Sequence, residues 1–104
     1  MSDTPPPPET FRRFVERFPE IGEAWSLLGK GSANGPLSTR EQRLVKLGIS
    51  IGALREGAVH SAARKAPAAG VTQADMDQVV ALAATTIGLP GAVAAWTWIN
   101  DTQT

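Results

Sequence analysis

Cysteine is absent from this chain of 104 residues. That absence removes disulfides, zinc–thiolate centres and thiol nucleophiles together, since each needs a sulfur the chain lacks. Histidine occurs once, as His60, so one copy cannot supply a multi-histidine metal centre. Neither sign of charge dominates: Lys and Arg number 10, Asp and Glu 10. No net field draws the chain to nucleic acid or to an anionic membrane. Long apolar runs are missing, and the start has no signal-peptide pattern, which makes a cytoplasmic protein the default. Strict apolar–polar alternation is missing too, so no half-buried strand is expected. Gly29-Lys30-Gly31-Ser32 lacks the spacing and the preceding strand of a phosphate-binding loop.

What is present is helical periodicity. Apolar residues make up 42% of the chain, enough for one modest core and too little for two domains. Residues 1–8 read as a disordered Pro-rich leader and 9–104 as a single helical domain. Phe11, Phe14, Val15 and Phe18 share one helical face from about Glu9. Pro19 opens a second helix carrying Ile21, Ala24, Trp25, Leu27 and Leu28, which is expected to stop in the turn chemistry of Gly29, Gly31, Asn34, Gly35 and Pro36. Ser38 and Glu41 have capping-box spacing and start a third helix. Its Gly48 and Gly52 suggest close packing against a neighbour or a bend. A fourth helix is expected from about Leu54 to about Ala66, closed by Pro67 and Gly70. Thr72, with Asp75 at the third position, caps a fifth helix bearing Met76, Val79, Val80, Leu82 and Ala83. Gly88-Leu89-Pro90-Gly91 reads as a turn, with Pro90 set to open a last helix that carries Val93, Trp96 and Ile99. The expected fold is all-α, with five to six helices and short connections. Because so small a domain buries little area, oligomerisation is a plausible source of further burial.

One polar constellation stands out. Glu56 and His60 are spaced i, i+4 and share a helix face, which Arg64 continues. A carboxylate beside an imidazole can fix one tautomer and raise basicity, as a general base requires. The same pair can give two ligands to a metal. Either use needs a third group, for which Glu41 and Arg43 on the preceding helix are the candidates. Arg43 or Arg64 could clamp a substrate carboxylate through its bidentate fork. The bland alternative is a solvated stripe that contributes about 0.2–0.5 kcal/mol per pair. Small neighbours at Gly57, Ala58, Ala62 and Ala63 would let another helix come close to the pair. Trp25, Trp96 and Trp98 read as core or interface residues; Trp96 and Trp98 are two apart and cannot share a face. Asp75, Asp77 and Asp101 read as capping and surface positions.

From Gly35 onward the order of features is specific: Gly-Pro-Leu-Ser, a helix through Glu41-Gln42-Arg43-Leu44-Val45, then Glu56-Gly57-Ala58-Val59-His60-Ser61, Ala69-Gly70-Val71-Thr72 and Gly88-Leu89-Pro90. Upstream stand Phe18-Pro19-Glu20 and Leu27-Leu28-Gly29. This order resembles the carboxymuconolactone decarboxylase family, which also contains the alkylhydroperoxidase D-like proteins. The resemblance covers about Pro19 to Asp101 and implies an all-helical, alkylhydroperoxidase D-like fold. It further implies a homo-oligomer, trimer or hexamer, with the active site near subunit contacts.

In the redox branch of that family, a Cys-x-x-Cys pair works with a following His and an upstream Glu. The decarboxylase branch lacks the thiols and uses acid/base chemistry on a lactone acid. Two registers carry these positions onto the chain. With His60 on the family histidine, the thiol positions are Ala53 and Glu56 and the upstream Glu is Glu41, but two residues are then surplus before Gly70. Without a gap, the thiol positions are Arg55 and Ala58, the histidine is Ala62 and the upstream Glu is Arg43. The ungapped register is preferred, because an insertion inside a packed helix is costly. In both, thiol peroxidase chemistry is excluded. The resulting expectation is acid/base catalysis, decarboxylation or isomerisation, on a small organic acid. Glu56 and His60 would be the proton-transfer pair, with Arg43 and Arg64 binding the substrate. Two alternatives stay open. One is an oxidase or storage protein with a divalent or iron-type metal held by Glu56 and His60 at a subunit interface. The other is a non-catalytic oligomeric binding module.

Overall fold

The structure is a computed structural model and describes residues 5–103. Among these, six α-helices and one short 3-10 turn account for the regular structure, with no strand. The helices are α1 (Glu9–Arg17), α2 (Pro19–Ser32), α3 (Thr39–Gly52), α4 (Glu56–Lys65), α5 (Gln73–Ile87) and α6 (Leu89–Gln103). Pro67–Ala69 form the 3-10 turn. No helix among the described residues is long and apolar enough to cross a membrane. The first four residues of the expected leader lie outside the described part, and Pro5 to Pro8 are not helical.

Contacts divide the chain into two compact units. The first is the hairpin of α1 and α2, within Pro5–Pro36. Pro19 stands in the first turn of α2, where its missing N–H costs nothing. The two helices cross at Val15 and Gly22, where a Cβ on Gly22 would come within 3.0 Å of the Val15 Cβ. Within the expected turn segment, α2 runs through Gly29 and Gly31 and ends at Ser32, whose hydroxyl donates to the Gly29 carbonyl at 3.0 Å. The i→i+4 ladder, once started, outweighs the propensity cost of each glycine, about 1 kcal/mol. No residue of either helix is buried.

The second unit begins at Leu37 and holds α3 to α6. Here α3 packs on α4 and α5, and α6 packs on the same two helices. Both expected capping boxes are made. The Glu41 N–H donates to Ser38 Oγ at 3.0 Å while the Ser38 N–H donates to Glu41 Oε1 at 2.8 Å. Thr72 and Asp75 do the same at 3.1 and 2.8 Å. The core is built on Leu47 and Ile51 of α3, Val59 and Ala63 of α4, Met76 and Val80 of α5, and Ala95 and Ile99 of α6. The inner face of α6 is therefore Ala92, Ala95 and Ile99, not Val93, Trp96 and Ile99. Alanines let the helix axes approach, while Val93 and Trp96 stay about half exposed.

The link from α3 to α4 is tighter than the sequence suggested. Leu54 lies outside α4 with φ of 53°, a left-handed backbone for a branched residue. Its side chain lies against the start of α6, where a Cβ on Gly91 would meet Leu54 Cδ2 at 3.3 Å and Ile87 Cδ1 at 3.2 Å. A side chain at Gly91 would require the tips of Ile87 and Leu54 to give by a few tenths of an ångström. By contrast, Gly48 and Gly52 make no close contact. A Cβ at Gly48 would sit 3.9 Å from Val79 Cγ1, and none lies within 4 Å at Gly52.

Candidate functional site

The α3–α4 link sets where α4 begins, and so where its first-turn carboxylate stands. Arg55 adopts an extended N-cap conformation and Glu56 follows in the first turn. One turn on, His60 Nε2 lies 3.8 Å from Glu56 Oε2. That is too long for a hydrogen bond. The imidazole side chain is 39% exposed, yet Nε2 itself is sealed from solvent and has no hydrogen-bond partner. Among the described residues it is the one shielded side-chain polar atom left unpaired. Leaving such an atom unsatisfied costs about 1–3 kcal/mol.

Further along α4, cations gather. Lys65 is partly buried, and its ammonium is pushed below the ordinary lysine range, first by that burial and then by repulsion from Arg43, Lys46 and Arg64. The two expected clamp residues, Arg43 and Arg64, thus both repel the Lys65 ammonium. The structure adds two residues that sequence reasoning missed, Lys46 and Lys65. The i, i+3 spacing of Arg43 and Lys46 was a usable signal, since it places both on one side of α3. Lys65 joins them only through the packing of α4 on α3.

Glu41, a candidate third group for the Glu56–His60 pair, closes the capping box at the start of α3. Its carboxylate is engaged by the Ser38 backbone N–H, which with the Ser38 hydroxyl and the Arg40 charge holds it below the ordinary carboxylate range. Asp75 is likewise committed to its cap. The Thr72 backbone N–H is the main cause of its lowered pKa, followed by the Arg40 guanidinium, whose Nη2 lies 2.7 Å from Oδ2. Asp77 accepts from Gln73 Nε2 at 2.9 Å and from Trp96 Nε1 at 3.0 Å, fastening α5 to α6. Trp98 packs against the core, and Trp25 is exposed. No three of His, Cys, Asp or Glu among the described residues come together to hold a metal ion. One chain offers Glu56 and His60 as two donors only.

The family model of the carboxymuconolactone decarboxylase family matches residues 19–101. The chain belongs to this family. Nothing matches it among curated proteins or among solved structures. Within the family it is a cysteine-free member with the all-helical, alkylhydroperoxidase D-like fold. The positions that would carry the family's thiols cluster at the α3–α4 link in either register. Ala53 is the C-cap of α3, Arg55 the N-cap of α4, and Glu56 and Ala58 lie in the first turn of α4. The stretch from His60 to Gly70 is not one helix, because the 3-10 turn at Pro67–Ala69 interrupts it. A turn absorbs two extra residues cheaply, so helix packing does not choose between the registers.

Proposed function

We propose that this carboxymuconolactone decarboxylase family member performs acid/base chemistry, decarboxylation or isomerisation, on a small organic acid. The observation that carries the reading is the sealed, unpaired His60 Nε2 held 3.8 Å from the Glu56 carboxylate. A nitrogen without a hydrogen-bond partner keeps its proton or lone pair uncommitted within the protein, and the partly exposed imidazole offers a substrate access to the ring. Glu56 stabilises the imidazolium as it forms. Arg43 and Arg64, with Lys46 and Lys65 beside them, supply the positive field for the substrate carboxylate. In a decarboxylation the electron pair of the breaking C–C bond stays on carbon, carbon dioxide leaves, and His60 delivers the proton that quenches the carbanion. In an isomerisation His60 removes a proton from one carbon and returns it to another.

A thermal-shift panel of small mono-, di- and hydroxycarboxylates tests binding. A ligand at roughly 100 times its Kd stabilises by about 2.7 kcal/mol. Arg43→Ala and Arg64→Ala should each reduce that shift. For any acid that is turned over, His60→Gln should lower kcat about 10²–10⁴-fold, and Glu56→Gln should lower it less. A panel with no stabilising carboxylate, or a shift untouched by both arginine variants, overturns the reading. The non-catalytic binding module would then stand in its place if another ligand binds. Metal titration followed by elemental analysis addresses the interfacial metal reading, which needs donors from a second copy beside Glu56 and His60.

A further inference from the structure

Three helix ends of the second unit turn through positive φ. Gly70, with φ of 81°, closes the 3-10 turn, and Gly88, with φ of 89°, closes α5. Glycine takes such backbone at no steric cost. At the end of α3 the same role falls to Leu54, the one non-glycine residue with positive φ among the described residues. The hydrogen bonds there complete a Schellman motif. The Leu54 N–H donates to the Ile51 carbonyl at 2.9 Å, and the Arg55 N–H reaches back to the Ser50 carbonyl at 3.2 Å. Leu54 stands one residue past the C-cap Ala53, where helices ordinarily place glycine. A leucine there costs conformational energy that glycine would not, and such strain persists only where its surroundings fix it.

The leucine side chain is what fixes it. Leu54 Cδ2 and Cδ1 lie 3.3 and 3.6 Å from the point a Cβ on Gly91 would occupy, and Ile87 Cδ1 lies 3.2 Å from the same point. Leu54 thus rests on the bare backbone of the first turn of α6, beside the last residue of α5. Ile87 in turn lines a groove between α3 and α5, one side of which Gly48 and Gly52 leave without side chains. One side chain therefore ties the α3–α4 link to the ends of two other helices. Directly after it, the Arg55 carbonyl accepts the Val59 N–H at 2.9 Å and opens α4. Glu56 follows Arg55 in the chain, and His60 stands one turn further.

We propose that Leu54 is a positioning residue for Glu56 and His60. Its contact with Gly91 holds the left-handed link, and the link fixes the start and direction of α4. Glycine would satisfy the same backbone and lose the tie. The inference rests on the acid/base reading for what the pair does chemically, but the positioning itself is measured without a substrate.

Nuclear magnetic resonance on the full chain tests this, because His60 is the only histidine and its ring signals are assigned without ambiguity. In Leu54→Gly the Val59 amide should exchange its hydrogen about tenfold faster, the factor that about 1.4 kcal/mol makes, and the His60 ring signals should move. The Met76 amide, which donates to the Thr72 carbonyl at 3.1 Å at the start of α5, should exchange as in wild type. Leu54→Met, which keeps the reach onto Gly91, should behave as wild type. Gly91→Ala presses on the tie from the α6 side. It should move the His60 signals in the wild-type chain and leave them unmoved in the Leu54→Gly background. Unchanged Val59 exchange in Leu54→Gly overturns the proposal, as does equal acceleration at Met76. So does a Gly91→Ala variant that leaves His60 unmoved, or one that moves it equally without Leu54. For any acid that is turned over, Leu54→Gly should lower kcat by up to about 100-fold, the cost of an ångström-scale misplacement, with KM held; a kcat equal to wild type counts against the proposal. An empty carboxylate panel removes the acid/base reading and leaves the amide and ring signals as expected, so the two ideas fail separately.

Discussion

The two units of this chain are both helical and both rich in apolar side chains, yet they use them in opposite ways. The four helices from α3 to α6 bury Leu47, Ile51, Met76 and Ile99 essentially completely. The hairpin of α1 and α2 buries nothing. The contrast extends to the helix ends. Side-chain capping boxes start α3 and α5, while α1 and α2, like α4 of the second unit, start without any side-chain cap. Within the hairpin the chief contacts are the Val15–Gly22 crossing, the Phe14–Phe18 rings 5.1 Å apart, and Arg17 over the Phe18 ring at 4.6 Å. Amphipathic periodicity thus reports which face of a helix is apolar. It does not report whether the same molecule covers that face.

The largest effect that would break this contrast is a matched pair of truncations. Leu47→Ala should destabilise by about 2–5 kcal/mol, whereas Leu28→Ala, in dilute protein, should stay within about 0.5 kcal/mol of wild type. Urea unfolding at low protein concentration measures both. Equal losses would mean that the hairpin is covered within the single chain. Next in size, Ser38→Ala and Thr72→Ala should each cost about 1 kcal/mol, read in the same way. A loss confined to these caps sharpens the distinction between the capped helices and the uncapped pair.

A smaller effect follows acid. The folded-state pKa values of Glu41 and Asp75 are depressed below their ordinary values of 4.5 and 3.8. Each therefore contributes stability that is present above its ordinary pKa and is lost as the pH falls through the folded value. The melting temperature should drop as the pH goes from above 4.5 to below 3.8. Glu41→Gln, which keeps an acceptor and removes the charge, should flatten part of that limb. The smallest effect lies at the alkaline end. The Lys65 pKa is lowered from 10.5, so its charged form is disfavoured in the fold. Stability should rise as the pH climbs through the folded value towards 10.5. Lys65→Met should remove that rise and slightly stabilise the chain near neutral pH, with both changes read from melting temperatures.

Much of the fold was legible in the sequence because its signals are local. Ser38 with Glu41 and Thr72 with Asp75 sit three apart, and both boxes form as their spacing requires. Pro19 opens α2 for an equally local reason. The misreadings arise where tertiary packing decides. Large residues drew attention on α6, but the buried face is made of alanines because axis distance, not side-chain size, sets what fits. Leu54 carries no sequence mark of its left-handed backbone. In the site, the pairing of Glu56 with His60 follows from helix geometry alone. The shielding of Nε2 and the repulsion of Lys65 by Arg43 and Lys46 depend on packing that the spacing along α4 does not encode.

The groove glycines carry a consequence for how this chain can change. Alanine at Gly48 or Gly52 would meet nothing closer than 3.9 Å, and each exchange would favour the helix by about 0.8–1.0 kcal/mol. Every methyl added there also narrows the groove. Tolerance to heat and the width of the groove between α3 and α5 are thus opposed along one turn of α3. A lineage selected only for robustness would fill the groove first.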